Sequence, residues 1–285
     1  MFYDNGIIVA DWQRGIGKEG DWGERLNSEL IHKLSGLPVA HIKDVTGWQN
    51  RPVFRVIGGN LKSLSDNDII WGMGLSGPAY EAEKIPSQIC AVRGPLTRER
   101  LMDVGIACPE IYGDPAVLYP LIFRPEVQPQ HDFGIILDGG EASGIGSIEL
   151  PASGSVLHID ICGGLQEVVR SILSCKIIVS ASLHGIICAH AYGLPAYWMT
   201  ADDPPHGNFE FLDYFRSIGW DEVEPTRLSA EWRMQFGSLV EPDRPMVNGL
   251  MLIDSCPFLS STRKQHWKGK LVRGKAGRLR GTIFH

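Results

Sequence analysis

The stretch Ile178-Val-Ser-Ala-Ser-Leu-His-Gly-Ile-Ile-Cys-Ala-His-Ala-Tyr-Gly-Leu-Pro195 reads as a buried strand that turns directly into a helix. A short β-branched run leads to Ser180, Ser182 is placed to cap the helix that follows, and Gly193 and Pro195 stop it. His184 falls in the first helical turn. The helix dipole there favours the neutral imidazole, which can present a ring nitrogen to a cleft at the strand's end. A hydrogen-bonded structural histidine is the equally weighted alternative. His190 lies six residues on, about 240° around the helix, so the two histidines share no face and make a poor joint metal site.

The same strand-to-helix rhythm extends in both directions. Upstream, strands are expected at residues 6–10, 53–57, 68–71 and 88–92, with helices at 23–34 and 95–104. The second helix has Pro95 at its start and Gly105 after its end. Residues 123–132 hold two prolines and few apolar side chains, the chemistry of a linker. Strands at 133–137, 156–159, 176–181 and 196–199 follow, with helices at 165–174, 183–192 and 209–218. The expectation is an α/β protein of two doubly wound, Rossmann-like halves with a cleft between them. The expected boundaries are 1–125 for the first half, 126–132 for the linker, 133–262 for the second half and 263–285 for a basic tail. No element is assigned beyond about residue 225.

Composition narrows the class. The chain has 285 residues, 44% of them hydrophobic and 21% charged, which excludes a disordered, collagen-like or coiled-coil protein. The longest apolar run, residues 177–199, is interrupted by His184, Gly185, His190 and Gly193, so no membrane span is expected. No secretory signal is expected either, and the six cysteines lack CxxC spacing and read as reduced thiols of a cytoplasmic protein. Residues 263–285 carry eight Lys or Arg and no acid, whereas the rest of the chain has 19 bases against 33 acids. An acidic body argues against nucleic acid as a partner. The basic tail is either a solvated terminus or a segment that lies on the anionic inner face of the plasma membrane.

Four glycine-containing turns stand where strands should end: Gly20-Asp-Trp-Gly-Glu-Arg-Leu-Asn27, Ile57-Gly-Gly-Asn60, Trp71-Gly-Met-Gly-Leu75 and Val92-Arg-Gly-Pro-Leu-Thr-Arg98. Glycine admits a ligand close to the backbone, and a following helix offers free N–H groups to an anion. None of the four is a dinucleotide or P-loop fingerprint. Arg93, between a strand and the helix beginning at Pro95, suits a phosphate or carboxylate, with an ion pair between the two halves as the alternative. Arg98 and Arg100 are expected on a helix surface. Asp114, before Pro115, either caps a turn or faces the cleft.

Taken in order, these motifs resemble the polysaccharide pyruvyl transferase family, in particular bacterial exopolysaccharide ketal-pyruvate transferases of the xanthan type. The resemblance runs from about Gly20 to Gly219. It is carried by Gly20–Asn27, Ile57–Leu61, Trp71–Gly74, Ala91–Arg98, Val104–Ala116 and Ser180–Pro195. It implies a GT-B-like fold and transfer of pyruvate from phosphoenolpyruvate onto two hydroxyls of one sugar, with release of phosphate. The acceptor implied is an exopolysaccharide or its lipid-linked repeat unit. No organic cofactor and no metal are implied.

By resemblance, His184 takes acid–base work and Arg93 binds the donor's anionic groups. Gly23, Asn27, Gly58, Gly59, Gly72, Gly74, Arg98, Asp114, Ser180, Ser182 and Gly185 then line the donor and substrate site. Glu210 joins them because it stands where the family carries a lysine near the donor. A second departure is Leu137-Asp-Gly-Gly140, where the family often has a histidine. Two rival readings are a GT-B glycosyltransferase with a nucleotide-sugar donor and a catalytically weakened family member within a polysaccharide assembly complex.

Overall fold

The computed structural model describes residues 6–14, 20–61, 63–81, 84–137, 156–200, 208–227, 246–247, 249–276 and 283–284. Two five-stranded sheets dominate it, and every strand pairing within them is parallel.

The first sheet contains β1 (Ile8–Ala10), β2 (Val39–His41), β3 (Val53–Arg55), β4 (Asp68–Trp71) and β5 (Gln88–Ala91), in the order β2-β1-β3-β4-β5. The second contains β6 (His131–Ile136), β7 (Val156–His158), β8 (Cys175–Ser180), β9 (Ala196–Thr200) and β10 (Thr226–Arg227), in the order β10-β9-β8-β6-β7. Numbered within its own half, each sheet has the order 2-1-3-4-5. Each therefore has a point where successive crossovers leave in opposite directions: between β1 and β3, and between β6 and β8. In open parallel sheets the crevice at that point, beyond the strands' carboxyl ends, is where ligands bind.

Strands buried on both faces should read as continuous apolar runs, and they do. In β4, Ile69 and Trp71 enter one apolar cluster while Ile70 enters another. In β8, Ile178 and Val179 divide in the same way. The main helices are α1 (Trp22–Ser35), α2 (Pro95–Asp103), α3 (Leu165–Leu173), α4 (Leu183–Ala191) and α5 (Phe209–Ser217); α1, α3, α4 and α5 join successive strands of a sheet, and α2 follows β5 on the way to the second half. A 3-10 helix over Pro115–Leu121 precedes the connection between halves.

One apolar cluster runs through both halves. It includes Trp22, Leu26 and Tyr119 from the first and Val169, Leu183 and Ile187 from the second. Trp22 donates its indole N–H to the Leu165 carbonyl at 3.1 Å, closing this contact with a hydrogen bond.

The element expectations hold to within a residue or two, with four differences. Residues 131 and 132, assigned to the linker, already belong to β6. β2, Val39–His41, is missing from the expectation because it is only three residues long and half-buried at the sheet edge. The chain also does not stay with its second half to residue 262. Helix α6 (Gly249–Ser255) returns to the first sheet, where Trp71 donates to the Leu252 carbonyl at 3.0 Å.

Finally, residues 263–276 are no solvated tail. They form most of α7 (Ser261–Ala276), which buries Trp267 and Leu271 in the main core. Arg263 and the Trp267 indole both donate to the Leu34 carbonyl at 3.0 Å, satisfying an acceptor near the open end of α1. Of the cysteines, Cys162 is exposed and the other five are buried free thiols.

Trp267→Ala should cost about 3–5 kcal/mol, the usual toll for a buried aromatic, read as a lower urea midpoint. An unchanged midpoint would show that α7 is not part of the folded core.

Candidate active site

Asp21 lies just before α1 in the first half, and its carboxylate has two tasks. Oδ1 accepts the Glu24 backbone N–H at 3.1 Å, capping the helix. Oδ2 reaches across to the second half and lies 2.6 Å from Nδ1 of His184, in the first turn of α4. Ser182 caps α4 as expected, accepting from the Gly185 N–H at 3.4 Å, and Ser180 accepts from the Ser182 N–H at 3.0 Å. Two capped helix starts therefore meet at the junction, one following β1 and the other following β8.

The imidazole lies against the first turn of α1 at Gly23, where a Cβ would stand 2.2 Å from His184 Cδ2. His184 is only 8% exposed, and its Nε2 is buried without a hydrogen-bond partner. Asp114, fully buried, uses Oδ1 to accept the Ala116 N–H at 2.9 Å, while its Oδ2 has no partner. Glu24 accepts the Gln13 N–H at 2.9 Å through Oε2.

The electrostatics follow from this enclosure. Burial alone would lower the His184 pKa, but Asp21, with Asp114 and Glu24 behind it, lifts it to about 9. Burial likewise pushes Asp21 up, and the opposing pull of His184 holds it below the ordinary carboxylate value. Glu24 rises to about 7 because burial outweighs the attraction of His184. Asp114 is also raised by burial, against His184 and Arg93. Near neutral pH the cluster thus holds a proton on His184 and shares one on Glu24, and such groups can both give and take protons.

Arg93 takes the other of its two readings. It is 1% exposed, donates to the Leu75 carbonyl, and sets Nε 3.5 Å from Asp213 Oδ2 of α5. Asp213 also accepts from Thr97 N–H at 2.8 Å and Thr97 Oγ1 at 2.7 Å. The anion expected beside Arg93 at the start of α2 is therefore the protein's own carboxylate, arriving from the second half.

The remaining expected site residues divide between packing and the junction. Asn27 is buried and bridges α1 to the turn after β3: Oδ1 accepts Ile57 N–H at 3.0 Å, and Nδ2 donates to Ile57 O at 3.1 Å. Gly58 and Gly59 belong to that turn and accept from the Gly74 and Ser76 N–H groups at 3.0 Å each. Gly72 has φ +92, and a Cβ there would meet Pro115 at 2.2 Å, so this position requires glycine. Gly74 leaves room for the Arg93 guanidinium, and Gly185 for Ser180 Oγ. Arg98 binds Cys108 O at 3.0 Å and Glu110 at 3.2 Å, away from His184.

Glu210, in the first turn of α5, is half-buried and makes no hydrogen bond or ion pair with the His184 cluster among the described residues. Residues 138–140 lie outside the described residues.

Asp21, Glu24 and Asp213 are missing from the expected site. An acidic residue directly before an amphipathic helix is a capping signal that could have pointed to Asp21. Nothing in the sequence announces that its second oxygen reaches a residue 163 positions away.

The chain is a parallel α/β protein with a buried histidine, His184, paired with Asp21 at the junction of its two halves. Residues 69–203 match the family model described as polysaccharide pyruvyl transferase. An Acanthamoeba polyphaga mimivirus protein described as uncharacterized protein L143 is 29% identical over 214 residues, covering 71% of this chain and 72% of that protein. The family segment includes Arg93, Asp114 and His184, while the first turn of α1 lies outside it.

Asp213→Ala should destabilise the fold by about 3–5 kcal/mol by leaving Arg93 buried and uncompensated. In a double-mutant cycle with Arg93→Ala, the losses should fall well short of additive. Strict additivity in thermal unfolding would release Arg93 from this pair and return it to the donor site.

Proposed function

We propose that the chain transfers the pyruvate unit of phosphoenolpyruvate onto two hydroxyls of one sugar in an exopolysaccharide or its lipid-linked repeat unit. The two halves act as Rossmann-like units around a GT-B-like cleft. The observation that carries this reading is His184: a proton-holding imidazole at the carboxyl ends of the strands, its Nε2 without a partner.

The chemistry requires one group to give a proton and then take one. The first sugar hydroxyl adds its oxygen to C2 of the donor while the methylene carbon accepts a proton, becoming a methyl group. The second hydroxyl oxygen then bonds to the same carbon as phosphate leaves with the bonding electron pair. Protonated His184 supplies the first proton and, once neutral, receives that of one sugar hydroxyl, while the other hydroxyl's proton leaves on the departing phosphate as hydrogen phosphate, so the site returns to its starting state. Asp114 Oδ2, buried and without a partner, is the acceptor assigned to a sugar hydroxyl. The free N–H groups at the start of α4 favour the departing phosphate.

The basic C-terminal segment adds a location. Lys264 and Lys268 are engaged by Asp254, and Arg263 by Leu34. Lys270, Val272 and Arg273 remain exposed on α7, with Met251 exposed on α6. This face suits the anionic inner surface of a cytoplasmic membrane, where a lipid-linked acceptor would lie.

Phosphate release from phosphoenolpyruvate, assayed with galactosides, glucosides and mannosides, should depend on one sugar class. It should fall about 10²–10⁴-fold in His184→Ala. Release that is independent of acceptor, or undiminished in the variant, overturns the reading. Separately, Lys270→Gln combined with Arg273→Gln should weaken binding to phosphatidylglycerol vesicles by about 1 kcal/mol per charge removed. Equal binding by wild type and variant would remove this face from membrane contact.

A further inference from the structure

Asp21 and Gly23 belong to the half of the chain opposite His184, and both are shaped around its ring. Asp21 Oδ2 stands 2.6 Å from Nδ1 while Oδ1 caps α1, so capping fixes the orientation of the oxygen that meets the imidazole. Two residues on, Gly23 supplies the floor. A Cβ there would lie 2.2 Å from Cδ2, 2.3 Å from Cγ and 2.4 Å from Nε2 of His184, distances no side chain can occupy. The ring edge is thus held by a carboxylate and its face by bare backbone. Nε2 remains buried and unbonded.

We propose that Asp21 and Gly23 are positioning residues for His184. The first turn of α1 is a seat that holds the imidazole with Nδ1–H toward Asp21 and Nε2 toward substrate. Calling His184 the acid–base group rests on the function proposed above; the seat itself does not.

The seat sets the proton inventory in two ways. Asp21 favours the imidazolium, and when the ring is neutral it favours the tautomer with the proton on Nδ1. The groups facing the ring are Asp21 and Glu24 on α1 and Asp114 at the start of the 3-10 helix. Because the folded-state pKa, about 9, lies above the unfolded value of about 6.5, the contact stabilises the fold fully below pH 6.5. That contribution is lost as pH rises through 9.

The test is NMR titration of the His184 ring in the full chain, assigned by its loss in His184→Gln, with Asp21→Asn, Asp21→Glu and Gly23→Ala compared. In wild type the ring should titrate near pH 9 and, when neutral, carry its proton on Nδ1. Asp21→Asn keeps a capping oxygen but removes the charge. It should lower the midpoint by about 1–3 pH units and weaken the tautomer preference. Asp21→Glu should recover part of the shift. Gly23→Ala should displace the ring and lose both signatures while Asp21 remains.

A folded Asp21→Asn protein with an unchanged midpoint and tautomer overturns the proposal. So does a Gly23→Ala ring that behaves as wild type. Should a variant fail to fold, the wild-type protein still decides: a neutral ring protonated on Nε2 would refute the seat.

No substrate enters these measurements. A shifted titration together with no phosphoenolpyruvate turnover would leave the seat standing and remove the proposed reaction. Where turnover is measurable, Asp21→Asn should lower kcat and move its pH profile in the same direction as the titration, leaving the KM for phosphoenolpyruvate nearly unchanged.

Discussion

The hydrogen bond between Asp21 and His184 is the constraint on which the candidate site depends. Each partner is fixed by the helix it begins. Asp21 caps α1, and His184 is held one residue beyond the leucine that follows the Ser182 cap. The sheets lie behind those helix starts, and their shared 2-1-3-4-5 order places both starts at a topological switch point. Neither half holds the pair alone. The apolar surface around Trp22, Tyr119, Leu183 and Ile187 keeps the two starts in register, so core packing and site chemistry are parts of one arrangement.

An imidazole among three carboxylates raises an electrostatic question for an anionic donor. Two unit charges 4 Å apart interact by about 4 kcal/mol at an effective dielectric of 20, so three full negative charges would repel phosphoenolpyruvate strongly. Proton uptake lowers that barrier. His184 carries a proton up to about pH 9, Glu24 is half-protonated near pH 7, and burial raises Asp114. The cluster therefore carries less negative charge than three ionised carboxylates would. Arg93 is no counterweight, since Asp213 already neutralises it. In the proposed reaction, donor binding relies on the N–H groups of α4 and on the imidazolium itself.

Local patterns made much of the fold legible. Strands such as β4 and β8 combine β-branched runs with turn signals, and α2 and α4 carry Pro and Gly or Ser signals at their ends. His184 could be picked out because it follows a strand and a capping serine. Its seat could not, because a capping carboxylate uses one oxygen locally and leaves the other free to meet any part of the chain. The glycine turns hid their neighbours for a related reason. A missing Cβ signals close approach without naming the neighbour, and at Gly23, Gly72 and Gly74 the neighbours are His184, Pro115 and Arg93. For α7, Trp267 and Leu271 alone among the described side chains are buried in the core, too sparse an apolar stripe within a sixteen-residue basic, glycine-containing segment to mark a helix. Its stability comes from docking on the rest of the protein.

That docking gives α1 a particular place in the molecule. Its fourteen residues span about 21 Å. The Leu34 carbonyl near its C-terminal end takes the Arg263 guanidinium and the Trp267 indole N–H, while Asp21 at its N-terminal end holds His184. A cation at the negative end of the helix and a carboxylate at the positive end both suit the macrodipole, so each end is electrostatically favourable without help from the other. The helix nevertheless joins them as one rigid element. The basic face proposed to meet a membrane and the histidine proposed to move protons are therefore carried at opposite ends of the same rod. A displacement of α7 that shifted α1 along its axis would be felt directly at the 2.6 Å contact with His184.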